Sequence, residues 1–316
     1  MKKEFKTLNE QIDIFRGKGL IVNNPEYAKE VLFRENYFFL NGYRHIFMKS
    51  NIDRRYINGC TFEELYSLFL FDRTLRNILF KNILIVENNI KSIISYQLSL
   101  KYGYREKEYL VPKNFTTNSE KVKQVNDILK KMKRQINLNA ASHSATIHYV
   151  NNYGYIPLWV LVKVLSFGIV GELYSILKKE DQIVIADVYN VDVDVLCNYL
   201  AILSNYRNLC AHEDILFTNR TQKQVEDNIF HRKLNIPIMD DEYIYGKNDL
   251  FSLLIILKQM LNCDEFSNLI EEIKNDLSNL EMNLHSISLS KVLDAMGFPQ
   301  NYYELKNMRG DLNERN

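Results

Sequence analysis

Apolar residues recur at three- and four-residue intervals along most of the chain, the spacing that lines one face of a helix. Residues 8–20 carry Leu8, Ile12, Ile14, Phe15 and Leu20, and the pattern stops at Gly17-Lys18-Gly19. Asn24-Pro25 predicts a second helix with Pro in its first turn, striped by Ala28, Val31, Leu32 and Tyr37. Asn41-Gly42 breaks that run. Thr61-Phe62-Glu63-Glu64 has the form of a capping box, in which hydroxyl and carboxylate satisfy each other's orphan amides. The long segment that follows (Leu65, Leu68, Phe69, Leu75, Leu79, Ile83, Val86, Ile90, Ile94) closes at Gly103. Such a span exceeds an ordinary globular helix, so a kink or break is expected within it.

Pro157 opens another helix, with Leu158, Trp159, Leu161, Val162 and Leu165 apolar and Trp159 assigned to the core. A short helix is expected over about residues 170–177. Asp192 or Asp194 caps a further one, with Leu196, Leu200 and Leu203 inward, and two more cover residues 250–261 and 266–280. The β-branched stretch 182–195 fits either strand or helix. There is no internal repeat and no clear strand pair. Only 11 Gly and 5 Pro in 316 residues argue against a turn-rich β fold. With 46% hydrophobic and 25% charged residues, an all-α helical bundle follows. The expected organisation is an N-terminal helical element (1–60), a helical domain (61–220) with a basic insertion around 101–150, and an acidic helical extension (221–316).

Charge refines this picture. The formal net charge of +1 hides an asymmetry. Residues 101–135 hold ten Lys/Arg and four Asp/Glu, whereas residues 221–316 hold ten and sixteen. A basic middle permits an anionic partner, although a solvated helix face accounts for it equally well. Four scattered cysteines form neither a disulfide scaffold nor a zinc ribbon. The N-terminal Met1-Lys2-Lys3-Glu4-Phe5-Lys6 lacks the apolar core of a secretion signal. The most apolar stretch, 156–177, is interrupted by Lys163 and Glu172, so a cytoplasmic protein with no membrane partner is expected.

Common catalytic devices are missing from the sequence: no P-loop, GxGxxG, GxSxG or HExxH. His143 and His148 are five apart but have no carboxylate or thiolate nearby to complete a metal site. One constellation stands out, Arg207-Asn208-Leu209-Cys210-Ala211-His212. Arg is a permanent cation with a planar fork suited to phosphate oxygens, and an imidazole can give or take a proton near neutral pH. RNA cleavage without a cofactor needs these functions: deprotonation of the 2′-hydroxyl, stabilisation of a crowded phosphorane and protonation of the leaving 5′-oxygen. Asn208 and His212, four apart, share a helix face. Arg207 lies some 140° away, so it must reach around, or the helix must distort, or a second copy must complete the site. One imidazole cannot easily serve as both base and acid, which favours a homodimer. The alternative is structural, with Arg207 capping a helix end and His212 filling a polar niche.

Short words along the chain carry a family resemblance. Asn36-Tyr37-Phe38-Phe39-Leu40-Asn41-Gly42-Tyr43, Phe71-Asp72-Arg73-Thr74-Leu75-Arg76, Ile85-Val86-Glu87, Pro157-Leu158-Trp159 with Leu165-Ser166-Phe167-Gly168, Arg207 to His212 with Asn219-Arg220, and Met296-Gly297-Phe298-Pro299 stand in order. Together they resemble abortive-infection proteins of the AbiD/AbiF type. The resemblance implies an HEPN fold whose RxxxxH motif forms a metal-independent endoribonuclease on homodimerisation, active in bacterial antiphage defence with no cofactor. It implies Arg207 and His212 as the catalytic pair, Asn208 as their polar neighbour and Glu87 in support, or else Glu87 in a helix–helix salt bridge. It also implies a toxin held silent by a small RNA or protein partner. Lys163 stands where the family often has an acid. Lys130, Lys131, Lys133, Arg134 and Lys163 are the candidate phosphate contacts. Tyr102, Tyr104, Tyr149, Tyr153 and Tyr155 are candidate stacking residues for single-stranded RNA. A non-catalytic binder of a structured small RNA is the second reading.

Overall fold

A computed structural model describes residues 4–50 and 52–308, so Met1, Lys2 and Lys3 of the N-terminal stretch lie outside the described residues. Three short helices come first: α1 (Leu8–Gly17), α2 (Pro25–Glu35) and α3 (Tyr37–Gly42). Thr7 and Glu10 cap α1 reciprocally, and the Asn24 side chain accepts the Tyr27 amide at the head of α2. Asn36 ends α2 at φ +67° and its side chain accepts the Phe38 amide to start α3. Tyr37 therefore belongs to a new helix and does not extend the α2 stripe.

The longest element, α4 (Phe62–Tyr102), runs 41 residues without interruption. The expected break is not present. The segment holds neither Gly nor Pro, and other helices pack along it, so nothing forces a break. Half of the predicted capping box forms. Thr61 accepts the Glu64 amide at 3.1 Å. The Glu64 carboxylate turns away and accepts the amides of His285 and Ser286 and the Ser286 hydroxyl at 2.7–2.9 Å. A buried carboxylate with three donors available from a distant loop does better there than at its own helix start.

Beyond Gly103 follow α5 (Glu106–Tyr109), α6 (Val122–Asn139), α7 (Ser144–Tyr153), α8 (Leu158–Val164) and α9 (Phe167–Ser175). Next come α10 (Lys179–Asp187), α11 (Val193–Ala211), α12 (Ile229–Lys233), α13 (Leu250–Met260), α14 (Cys263–Glu281) and α15 (Leu289–Met296). The ambiguous stretch 182–195 is thus helix, turn and helix. The strands β1 (Ile238–Met239) and β2 (Glu242–Tyr243) pair antiparallel, Ile238 opposite Tyr243. The fold is an all-α bundle.

Helix α4 is its axis. Helices α8, α9, α10, α11, α13 and α14 all pack against it, and α6 and α7 pack on α8. The buried apolar residues form one contiguous core from Ile12 to Leu305. Trp159 is not part of it. The ring is 44% exposed, because α8 buries Leu158, Val160, Leu161 and Val162 and turns the indole outward. No helix among the described residues is long and apolar enough to cross a membrane.

Candidate active site

Helix α11 buries Leu196, Leu200, Leu203, Tyr206 and Cys210 along one stripe. That stripe fixes where the remaining residues go. Asn208 and His212 are exposed and Arg207 is half-buried at the boundary. The helix ends at His212, whose amide donates to the Asn208 carbonyl at 3.0 Å. Glu213 then takes φ +57°, a left-handed residue that breaks the spiral where a glycine usually would. Residues 207–211 are regular helix and the spiral breaks only after His212, so the helix does not distort between Arg207 and His212. Among the described residues neither the Asn208 nor the His212 side chain makes a hydrogen bond.

Arg207 meets helix α4. Its Nε lies 3.5 Å from Glu87 Oε2, while Glu87 Oε1 accepts from Lys91 Nζ at 2.6 Å. Glu87 and Lys91 are buried. The Arg207–Glu87 contact is electrostatic: both atoms are buried without a hydrogen-bond partner. The guanidinium also sits 5.8 Å from the centre of the Phe80 ring. Its terminal nitrogens bond to no acceptor among the described residues, so they are available to an anion. Both proposed roles of Glu87, salt bridge and orienting group, are compatible with this contact.

The backbone just after His212 is clamped from α4. Asp72 accepts the amides of Leu216 (3.1 Å) and Phe217 (2.8 Å), the Tyr43 hydroxyl (2.7 Å) and Arg76 Nη1 (2.5 Å). Arg76 in turn donates to the Asp214 carbonyl at 3.2 Å, and Tyr43 stacks on Phe217. Asp72, Arg76 and Tyr43 are all buried. Burial pushes the Tyr43 hydroxyl far above its ordinary pKa, with the Asp72 charge adding to it. Sequence reasoning noticed Asp72 and Arg76 only as parts of a motif and missed their task. The signal was there: two opposite charges four apart in an otherwise apolar helix face.

His212, Glu213 and Asp214 form one wall of a cleft of about 1070 Å³. The α2–α3 corner faces them with Phe38 and Phe39, joined by Arg44 and Arg73. Arg73 is engaged by Glu35 at 3.0 and 2.5 Å. Arg44 pairs with no carboxylate among the described residues, its Nη1 donating to the Asn41 carbonyl. Arg207 lies outside this cleft, toward α4. The other expected phosphate contacts lie on the α6–α8 layer. Lys130, Lys133, Arg134 and Lys163 are exposed there without an acidic partner among the described residues. Lys131 pairs with Glu172 at 2.5 Å. Among the described residues no group of three or more His, Cys, Asp or Glu is placed to hold a metal ion.

The remaining motif words have structural work. Arg220 donates to the Ala295 carbonyl at 3.0 Å, and Gly297, at φ +77°, lies against the Asp249 carboxylate. Tyr206, next to Arg207, donates to the Asp249 carbonyl at 2.9 Å. A family model described as Abi-like protein matches residues 30–218, more than half of the chain. The chain belongs to the Abi-like protein family. The matched span of this Abi-like protein includes the α2–α3 corner, the Asp72 clamp, Glu87 and the Arg207–His212 helix end. Searches among curated proteins and among solved structures return no match.

Proposed function

We propose that this Abi-like protein is a metal-independent endoribonuclease of bacterial abortive-infection defence, acting as a homodimer. Membership of the Abi-like family points to abortive-infection defence. The observation that carries the enzymatic reading is the end of α11. Half-buried Arg207 and exposed His212 stand in the last turns of one helix on different faces, and Arg207 is held from behind by a buried carboxylate without being consumed by it, so a second copy would complete each half of the pair. In this reading an imidazole takes the proton of an RNA 2′-hydroxyl. The 2′-oxygen attacks phosphorus, the P–O5′ bond breaks, and a second proton goes to the departing 5′-oxygen. The products are a 2′,3′-cyclic phosphate and a 5′-hydroxyl. Arg207 neutralises the phosphorane. His212 of a second copy supplies the other proton-transfer group, and Asn208 adds a hydrogen bond at the same face. A small RNA or protein partner restrains the enzyme between infections.

Incubation of purified protein with total RNA in EDTA tests the proposal. Cleavage that disappears in His212→Ala supports it. Tight retention of RNA with no cleavage by the wild type would instead favour a non-catalytic RNA-binding role.

A further inference from the structure

A second surface, where the chain just beyond α4 meets α7 and α8, gathers flat rings. Tyr104, at the end of α4, lies 5.6 Å from Trp159 and 5.8 Å from Tyr155 between ring centres. Tyr153 is 6.3 Å from Tyr155 and 5.3 Å from Tyr149, and the Tyr149 hydroxyl is 3.4 Å from Trp159 Nε1. The Arg105 guanidinium caps Tyr104 and Tyr155 at 5.7 and 5.3 Å. The cluster is not core: Tyr104, Tyr153 and Trp159 are 37%, 56% and 44% exposed. Beside the indole, a cavity of about 440 Å³ is bounded by Ser92, Ser95, Ser99, Tyr96 and Leu100. Ser99 Oγ is buried there with no hydrogen-bond partner.

The layer that presents these rings is strongly cationic. From α6 through α8, residues 122–164 contain six Lys/Arg (123, 130, 131, 133, 134 and 163) and one acid, Asp127. Only Lys131 among the six has a carboxylate within ion-pair distance among the described residues. An exposed run of rings alone would suit a protein partner equally well. The excess charge of +5 over this layer favours a polyanion with π-faces of its own. Single-stranded nucleic acid has that chemistry: aromatic faces take successive bases, and cations follow the backbone.

We propose that the Tyr104–Tyr149–Tyr153–Tyr155–Trp159 cluster is a base-stacking platform for single-stranded RNA, with the exposed cations of α6 and α8 as its phosphate contacts. The inference deepens the ribonuclease reading by giving the substrate a binding site separate from the cleavage residues. An unpaired base enters the slot against the Trp159 indole, and the α4 serines offer hydroxyls to its edge. Duplex RNA, whose bases face each other, is refused.

Trp159 is the chain's single tryptophan, so the platform reports on itself. The experiment titrates the full-length protein with a 2′-O-methyl ten-nucleotide oligoadenylate, which cannot be cut, and follows tryptophan fluorescence. Saturable quenching is expected, roughly five- to 150-fold weaker in Tyr153→Ala, the range for one lost base stack. A duplex of the same length gives no quenching. For Trp159→Leu, electrophoretic mobility shift replaces fluorescence and the same weakening is expected. Absence of quenching, quenching unchanged in Tyr153→Ala, or Tyr153→Ala altering the oligomeric state without touching RNA affinity overturns the platform. The two readings fail separately. Quenching by a protein that cuts no RNA sinks the nuclease alone, and cleavage without quenching sinks the platform alone.

Discussion

Glu87 serves two cations with one carboxylate. Its partners differ: Lys91 is buried beside it, while Arg207 leans in from the helix edge. Removing Glu87 leaves the Lys91 ammonium uncompensated in the core, so Glu87→Ala is expected to lose about 3–5 kcal/mol in urea unfolding. Exchanging both, Glu87→Met with Lys91→Met, recovers most of that stability but leaves Arg207 unanchored and RNA cleavage depressed. Cleavage at the wild-type rate in the double variant would show that Arg207 is positioned by other contacts. A different carboxyl makes a pH prediction. Burial, and then the neighbouring Asp72, push Asp276 up to about 7, and its Oδ2 is buried without a partner. The folded state therefore holds a proton that the unfolded chain releases above its ordinary value near 4. Stability contributed by this group falls as pH rises from about 4 to 7 and stays low above. Asp276→Asn is expected to flatten that slope and raise the Tm at pH 8 by about 2–4 °C, the effect of roughly 1 kcal/mol. An unchanged melting profile across pH 4–8 would contradict the assignment.

Helix starts were the most legible elements, because their signals are local. Asn24 with Pro25, Thr61 and Asp192 stand at helix N-termini where these local signals put them. Arg207 and His212 were legible for the same reason, as a compact motif on one helix. What the sequence concealed is tertiary. Glu64 abandons its cap for residues more than two hundred positions away. Trp159 looked like core because every residue of α8 but Lys163 is apolar, although Lys163, four positions on, shares the face that packing leaves out. The Asp72 clamp joins residues some 140 positions apart; the i,i+4 spacing of Asp72 and Arg76 marks the charges but not the distant backbone they hold. The MGFP word is similar: its glycine is a packing requirement between α13 and α15. A Cβ on Gly297 would come within 2.3 Å of the Asp249 side chain, in a backbone conformation that already disfavours one. Gly297→Ala is expected to cost about 1–3 kcal/mol by thermal or denaturant unfolding. A neutral result would mean that α15 shifts freely on α13.

At the scale of the whole molecule, the acidic C-terminal region is tied into the bundle by charge as well as by apolar packing. Glu272 on α14 pairs with Lys81 on α4 at 2.7 Å, and Glu64 on α4 accepts the amides of His285 and Ser286. Among the described residues, Lys131 alone of the α6–α8 cations has a carboxylate counterweight. The proposed composite site from two copies would make activity a function of assembly. Specific activity is expected to rise with protein concentration and then level off, in parallel with the dimer fraction measured by sedimentation. Activity per molecule that is constant down to concentrations where only monomer sediments would exclude a shared site. The most direct test of the central claim is the chemistry of the cut end. A defined single-stranded RNA oligonucleotide is incubated in EDTA with the wild type or with His212→Ala, and the fragments are weighed by mass spectrometry. The account predicts 2′,3′-cyclic phosphate and 5′-hydroxyl ends from the wild type, and intact RNA from a His212→Ala variant that melts within about 0.5 kcal/mol of it. Intact RNA with both proteins, or the same fragments from both, would contradict it.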